Sequence, residues 1–414
     1  MNIFLMIMKI SICGAGASGL FASIRCKQIN RNADVTVFEK SDQVLSKVSV
    51  SGGGRCNLTN NIDDPKALAM NYPRGKKELI SPFYRFGTMD TIRWFTKKGV
   101  PLKTEDNGRV FPVSDSSSSI VDLLINETKR LGVKIKKQCG IKHAFTSSSG
   151  FDLELSDNTF YHCDRLLIAA GGEIESEGIG ISRHLGHSIQ KQIPSLFSFS
   201  LYDHPVKELA GVSVKDIIIS VPEIRLSQRG AILITHQGFS GPSVLSLSSL
   251  AARKLYERDY SFKCTINWCP GVSSEKLRES ISCMRKQSAT AIVHNTPIVT
   301  IPSRLWRALA GMSGCDSSMT WASFTKKHEF SLLNKLFSSE FNVKGKAANK
   351  SEFVTCGGVK LSEISLKTMK SKICPGLFFS GEILDIDGLT GGFNLQAAWT
   401  TGYIAGESMA HDKD

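Results

Sequence analysis

Gly14-Ala15-Gly16-Ala17-Ser18-Gly19 stands between a short apolar run, Lys9–Cys13, and a segment, Ser18–Asn30, whose Leu20, Ile24 and Ile29 recur at roughly helical spacing. A G-x-G-x-x-G string has meaning only where a strand runs through it into a helix. In that frame Gly14 permits the tight turn, Gly16 lets the backbone approach a pyrophosphate on the helix N-terminus, and Gly19 lets helix and strand pack closely. Asp34–Phe38 reads as the next strand, and Glu39 ends it, 20 residues after Gly19. A carboxylate there accepts hydrogen bonds from the hydroxyls of an adenosine ribose, and its charge disfavours a 2′-phosphate on that ribose. These elements read as the opening βαβ unit of a dinucleotide-binding α/β domain.

Three further strings extend the reading. Ser51-Gly52-Gly53-Gly54-Arg55-Cys56-Asn57-Leu58-Thr59-Asn60 follows the second strand. Its glycines and Arg55 can wrap a dinucleotide with backbone N–H groups and a guanidinium, and taken alone it also fits a flexible loop. Leu167-Ile168-Ala169-Ala170-Gly171-Gly172 is an apolar strand ending in small residues, which lets a backbone pass close to a cofactor. Leu377–Asp385 ends a strand in Gly381-Glu382, and Gly391-Gly392-Phe393-Asn394-Leu395-Gln396 opens a helix. The positive end of that helix can face the N1–C2 carbonyl edge of a flavin, where negative charge gathers on reduction. Contacts at both chain ends imply one long ligand, and FAD, held non-covalently, fits better than NAD.

The 414 residues allow two or three domains, and the 41% hydrophobic content is that of an ordinary soluble protein. Lys plus Arg is 51 against 38 Asp plus Glu, a net +13, which fits an acidic partner or equally a basic proteome. Eleven cysteines without a Cys-x-x-Cys pair fit a reduced, cytoplasmic chain. The apolar start, Met1 to Met8, is too short to span a membrane and lacks a cleavage site, and Met8 reads as a candidate true start. Residues 46–61 read as a polar loop, Ser117–Leu131 as an amphipathic helix, and residues 195–268 as β-rich, with Ile217–Val221 and Ala231–Thr235 clearest. Ser274–Arg285 and Ser303–Ala310 read as helices, Leu377–Ser380 as a buried strand, and Asn394 onward as a long helix. The fold class is α/β: a Rossmann-type FAD-binding domain in two parts, 1–193 and 346–414, split by an inserted β-rich domain, 194–270, and a helical domain, 271–345.

At these strings the chain resembles the BaiN/RdsA family of flavoproteins, also described as aminoacetone-oxidase-like or as NAD(P)/FAD-dependent oxidoreductases. The resemblance runs nearly end to end and includes Gly108-Arg109-Val110-Phe111-Pro112, Thr235-His236-Gln237-Gly238-Phe239-Ser240-Gly241-Pro242 and Cys356-Gly357-Gly358-Val359. The chain departs from the family in its N-terminal extension and in Cys356, where many members carry a small residue. The resemblance implies a split FAD domain with a β-barrel-like insertion. It also implies reduction of a carbon–carbon double bond conjugated to a carbonyl, either in steroid-like enones of bile acids or in a uridine of large-subunit ribosomal RNA, giving dihydrouridine. In both, hydride goes to the β carbon (C6 of uracil) and a proton to the α carbon (C5). NAD(P)H is the implied electron donor. With no second G-x-G-x-x-G in the insertion, it would use the same open face as the substrate.

The candidate cofactor set is Gly14, Ala15, Gly16, Ala17, Ser18, Gly19, Glu39, Lys40, Lys47, Gly53, Gly54, Arg55, Cys56, Asn57, Ile141, Ala170, Gly171, Gly172, Gly381, Glu382, Asp385, Gly391, Gly392, Phe393, Asn394, Leu395 and Gln396. Two residues are candidates for the catalytic proton donor. Cys56 either serves the reaction or packs as a small residue under the cofactor. His236 either serves the reaction or staples its loop. From Asn71 to Lys103 eight cations stand against two acids, interleaved with Tyr72, Phe83, Tyr84, Phe86, Trp94 and Phe95, and residues 193–345 carry 18 Lys plus Arg against 11 Asp plus Glu. Cations contact phosphates and rings stack on bases, so the charge favours RNA over a steroid as substrate. His184 and His187 lack a third ligand at metal spacing, so no metal is expected. Other readings are a small-molecule enone reductase, an amine or ketone oxidase, and a non-enzymatic flavin-binding RNA-associated protein. The target nucleotide, the choice of NADH or NADPH and the oligomeric state are not encoded in any motif.

Overall fold

The computed structural model describes residues 7–346 and 354–411. Most of the apolar start, residues 1–6, and the stretch just past the expected boundary at 345 lie outside the described residues. The chain divides into two units, residues 1–195 with 349–414, and residues 196–348.

The first unit is built on a seven-stranded sheet, in the order Ile364–Ser365, Lys370–Ser371, Leu377–Phe379, Arg165–Ile168, Lys9–Cys13, Asp34–Phe38, Lys134–Lys136. From Leu377–Phe379 to Lys134–Lys136 the strands are parallel, and the other two pair antiparallel at one edge. Arg165–Ile168 and Leu377–Phe379 are buried at every position. Continuous apolar runs are what a parallel sheet covered on both faces demands. Two small antiparallel sheets, Ile141–Ser147 with Gly150–Leu155 and Phe160–Cys163, and Thr59–Asn60 with Arg109–Pro112 and Leu102–Thr104, complete the unit together with the paired strands Ile189–Ser195 and Val354–Val359. The expected loop at 46–61 is more ordered than its composition implied. It holds a short helix, Ser46–Val50, and the strand Thr59–Asn60. Pairing with the distant strand Arg109–Pro112 supplies the order that local propensity lacks.

The second unit contains a closed six-stranded barrel: Phe199–Leu201, Gly238–Ser240, Leu226–Ile234, Ser213–Val221, Ser261–Asn267 and Ser339–Lys346. Its interior is packed by side chains. Phe239 meets Phe341 at 4.8 Å and Phe199 meets Phe262 at 5.1 Å between ring centres. Outside the barrel lie the helices Pro242–Leu250, Ser274–Gln287, Ser303–Met312 and Lys326–Phe337. One expected boundary needs correction: the helical part does not run to residue 345. Ser339–Lys346 is a barrel strand, in which Ser339, Phe341 and Val343 are buried and Glu340, Asn342 and Lys344 exposed. Its antiparallel partner, Ser261–Asn267, lies some 70 residues earlier, beyond the reach of a local pattern.

Candidate functional site

Two helices organise the site in the first unit, Ala17–Ile29 and Phe393–Ala410. They run side by side in the same direction. A β carbon on Gly402 would lie 2.5 Å from the Ser18 carbonyl oxygen, and one on Gly406 would lie 2.3 Å from that of Ala22. Ser18 is the second residue of its helix and Gly402 the tenth of the other. The C-terminal helix therefore starts eight residues ahead, about 12 Å at 1.5 Å per residue.

Each helix start presents free donors. Among the described residues no acceptor meets the backbone N–H of Gly16, Ala17, Ser18 or Gly19, nor that of Phe393, Asn394 or Leu395. A β carbon on Gly16 would meet nothing within 4 Å, so this turn borders open space. At Gly14 (φ +107°) a β carbon would come 2.5 Å from the Ala169 carbonyl, and at Gly19 2.0 Å from that of Gly14, so the turn is pressed onto the neighbouring strand. Anions are stabilised at helix N-termini by these free N–H groups and by the dipole. Two such seats, staggered by about 12 Å along the helix axes, suit one long ligand with an anionic or electron-rich group at each, as FAD has.

Carboxylates brace the turns. Glu39 accepts from the Ala15 N–H at 2.8 Å and from the Ser41 N–H at 3.0 Å. Glu382 accepts from the Thr355 N–H at 3.0 Å and pairs with Lys47 at 2.5 Å. Lys40 pairs with Glu173, which holds its ammonium above the usual lysine range. Gly381 (φ +75°) leaves a β carbon only 2.4 Å from the Ser18 hydroxyl, which ties the Gly-Glu turn to the first helix. Ala170 follows the central strand. Gly171 (φ +77°) borders open space, whereas at Gly172 a β carbon would press on Glu382. Ile141 is buried and opens a strand of the three-stranded sheet. Asp385 is half-buried, its N–H bonded to the Val359 carbonyl.

Several site residues do other work than their types implied. Gly53 and Gly54 border open space in left-handed backbone, but Arg55 is turned onto Glu105 at 2.8 Å and Asp115 at 3.5 Å and stacks on Phe111 at 4.1 Å. Both carboxylates lie within ion-pair reach of that guanidinium. Asn57 reaches the Thr59 carbonyl and the Gly392 N–H through its side chain. The Asn394 amide holds Gly388 from both sides, at 2.8 and 3.0 Å. Gln396, fully buried, accepts from the Thr59 hydroxyl at 2.5 Å and donates to that of Thr400 at 3.0 Å. Asn57, Asn394 and Gln396 thus shape the start of the C-terminal helix. Gly391 and Gly392, both at positive φ, make the turn into it, and Phe393 is buried.

Of the two candidate proton donors, Cys56 is buried. Its residue is 0% exposed, its backbone is left-handed (φ +59°), and burial pushes its thiol pKa up to about 12. Such burial favours the packing role over proton transfer. His236 is exposed in the barrel unit, at the tip of a hairpin closed by the Thr235 N–H and the Gly238 carbonyl at 2.8 Å.

The basic segment 71–103 also reads differently in three dimensions. Arg74 pairs with the buried Asp387, Arg85 with Glu407, Arg93 with Asp90, Lys98 with Glu127 and Lys103 with Asp115. Tyr72, Phe83, Phe86 and Phe95 are core residues packed toward Phe21, Phe393 and Trp399, Trp94 is half-buried, and only Tyr84, 62% exposed, offers a ring to solvent. The rings went to the core because burying their area stabilises more than an exposed platform does. His187 is buried with both ring nitrogens engaged, Nδ1 by Glu363 at 3.1 Å and Nε2 by Ser371 at 2.8 Å. Among the described residues no three His, Cys, Asp or Glu side chains gather as for a metal, and no helix is long and apolar enough to cross a membrane.

Residues the sequence reading passed over are Gly402, Gly406, Thr59 and the Arg74–Asp387–Ser195 network, in which the Ser195 hydroxyl donates to Asp387 at 2.7 Å. The two glycines four apart in the last helix were the available signal.

This arrangement has relatives. The chain is 30% identical over 410 residues to a ribosomal RNA dihydrouridine synthase of Escherichia coli, covering 96% of this chain and 97% of that one. It is 27% identical over 410 residues to a 3-dehydro-bile acid delta(4,6)-reductase of Clostridium scindens, covering 97% and 99%. In fold it is similar to the 3-ketosteroid delta1-dehydrogenase of Sterolibacterium denitrificans, with a TM-score of 0.52 at 11% identity over 98% and 99% of the two chains. The family described as HI0933-like protein Rossmann domain matches residues 8–408. The chain therefore belongs to the HI0933-like Rossmann-domain family and is an FAD-dependent oxidoreductase.

Proposed function

We propose that the protein reduces a carbon–carbon double bond conjugated to a carbonyl, taking electrons from NAD(P)H, and that its substrate is a uridine in large-subunit ribosomal RNA, which becomes dihydrouridine. The observation that carries the redox half is the pair of parallel helix starts with free N–H groups, staggered by about 12 Å along their axes. The amides of Gly16 to Gly19 would hold the pyrophosphate, Glu39 would accept the adenosine ribose hydroxyls, and the amides of Phe393 to Leu395 would stabilise negative charge on the reduced flavin. A bound flavin, once reduced by hydride from NAD(P)H, would supply that hydride to the β carbon of the substrate. His236 gives a proton to the α carbon, and backbone donors stabilise the enolate oxygen. NAD(P)H, lacking a Rossmann domain of its own, alternates with the substrate at the same face.

For the substrate, support comes from the E. coli relative's name and from the inserted region, where 18 Lys plus Arg face 11 Asp plus Glu. A second reading, a steroid-like enone, is favoured by the bile acid reductase at 27% identity and by the neutralised cations of segment 71–103. Mass spectrometry of ribosomal RNA from a deletion strain separates the two. Loss of one dihydrouridine, restored by the gene, is expected. An unchanged dihydrouridine content, together with turnover of a steroid enone, sinks the RNA reading.

A further inference from the structure

The barrel unit carries an open cleft of about 470 Å³ lined by Ser200, His204, Lys207, His236, Gln237 and Lys346. Strand pairing assembles it. Phe199–Leu201 lies between Gly238–Ser240 and Ser339–Lys346, with Phe199 opposite both Phe239 and Lys346. The two-residue hairpin puts His236 and Gln237 at its tip, and the His204 Nε2–H donates to the Thr235 carbonyl at 2.8 Å, which fixes that ring against the same hairpin.

Among the described residues no carboxylate lines the cleft. Lys346 is half-buried, with its ammonium 4.8 Å from the Tyr260 ring centre and no carboxylate partner among the described residues. Partial loss of water holds its pKa below the usual lysine value. Lys207, exposed on the turn Lys207–Leu209, likewise has no carboxylate partner among the described residues. A charge withdrawn from water is stable when paired, and no carboxylate among the described residues pairs with either ammonium. Two ammonium groups, a serine hydroxyl and a glutamine amide on one open cleft are a donor set for phosphate oxygens.

We propose that this cleft seats one backbone phosphate of a single-stranded polyribonucleotide, with Lys207 and Lys346 as its cationic partners. The inference rests on the RNA reading above and adds the place where the barrel grips the strand.

The test is fluorescence anisotropy of a labelled, uridine-containing oligoribonucleotide with the full-length FAD-loaded protein, over a salt series. Lys207→Ala and Lys346→Met each weaken binding roughly 3- to 10-fold at low salt and lower the slope of log affinity against log salt by about 0.7. Lys346→Arg keeps wild-type affinity and slope. Lys327→Ala, which removes an exposed charge elsewhere in the unit, has a smaller effect. Thermal melts establish that each variant is folded, and flavin reduction by NADPH and by NADH without RNA proceeds at the wild-type rate. Wild-type RNA binding that is unchanged in both lysine variants removes the seat and leaves the RNA reading standing. A wild-type protein that binds no oligoribonucleotide at any salt removes both. Slower reduction by NADPH but not by NADH in the variants assigns the seat to a nicotinamide 2′-phosphate and overturns the proposal.

Discussion

Gly402 lies against the Ser18 carbonyl so closely that no larger residue fits between the two helices: a β carbon there would stand 2.5 Å from the oxygen. That contact sets how far the C-terminal helix start projects beyond the first, and so the spacing between the two donor sets. Gly402→Ala must push the helices apart. Although alanine is the better helix former by about 1 kcal/mol, overpacking of this kind costs about 1–3 kcal/mol. A lower melting temperature and a lower flavin-to-protein absorbance ratio are expected. Full flavin content and a raised melting temperature in this variant contradict the geometry.

Glu39 braces the glycine turn through the Ala15 N–H and is the carboxylate nearest an adenosine ribose in our reading. Glu39→Ala removes both functions, and the loss of hydrogen bonds to a charged group costs about 1.5–3 kcal/mol. FAD affinity, measured by fluorescence titration of the apoprotein, falls roughly 10- to 100-fold. Glu39→Gln, which keeps an acceptor, falls less.

Cys56 is sealed and protonated, with its pKa pushed up to about 12, while Cys283 is exposed. A thiol reagent applied to the native protein therefore labels Cys283 and spares Cys56 until denaturant is added. Cys56→Ala retains product formation within a few-fold. Rapid labelling of Cys56 in the native state, or loss of product with flavin reduction intact, restores it as a candidate acid.

His236 separates the two halves of the reaction. His236→Ala leaves reduction of the flavin by NAD(P)H at the wild-type rate and lowers product formation by about 10²-fold or more, the scale of general acid catalysis. Equal turnover in the variant assigns the imidazole to holding its hairpin.

His187 makes stability depend on pH. Burial holds its imidazole below the ordinary 6.5, against the opposing pull of Glu363. As pH falls through 6.5 the unfolded chain takes up the proton first, so stability is full above that value and declines as pH drops toward the depressed folded value. Below it both states are protonated and this contribution stays lost. Burial raises the pKa of the Glu363 carboxyl, but Ser188 and His187 together hold it below its ordinary 4.5, so Glu363 adds a further decline at lower pH. Denaturant unfolding between pH 8 and pH 5.5 shows the first decline, and His187→Gln flattens it. An identical slope in wild type and variant contradicts the assignment.

The FAD domain was legible because its signals are local. Lys9–Cys13, Gly14–Gly19 and Asp34–Phe38 are contiguous, and their conformations follow from glycine spacing and apolar runs. What was not legible shares one physical cause. Ser339–Lys346 carries its alternating pattern in plain sight, but only a partner some 70 residues away makes it a barrel strand. Arg55 and Asn57 have the right chemistry for a ligand, and the fold also gives them the protein partners Glu105 and Gly392, which no local pattern announces.

By itself, then, the sequence determined the nucleotide fold and the identity of the turns, because backbone conformation at glycine and the period of apolar residues are set over a few residues. The tertiary structure alone decided which polar groups remain free. Five cations of segment 71–103 found acids, four of its rings entered the core, and Cys56 was enclosed. Meanwhile Lys207 and Lys346 came to one cleft with no acid among its described lining residues. Pairing and burial depend on distances across the fold, and those are settled only when residues far apart in the chain are packed together.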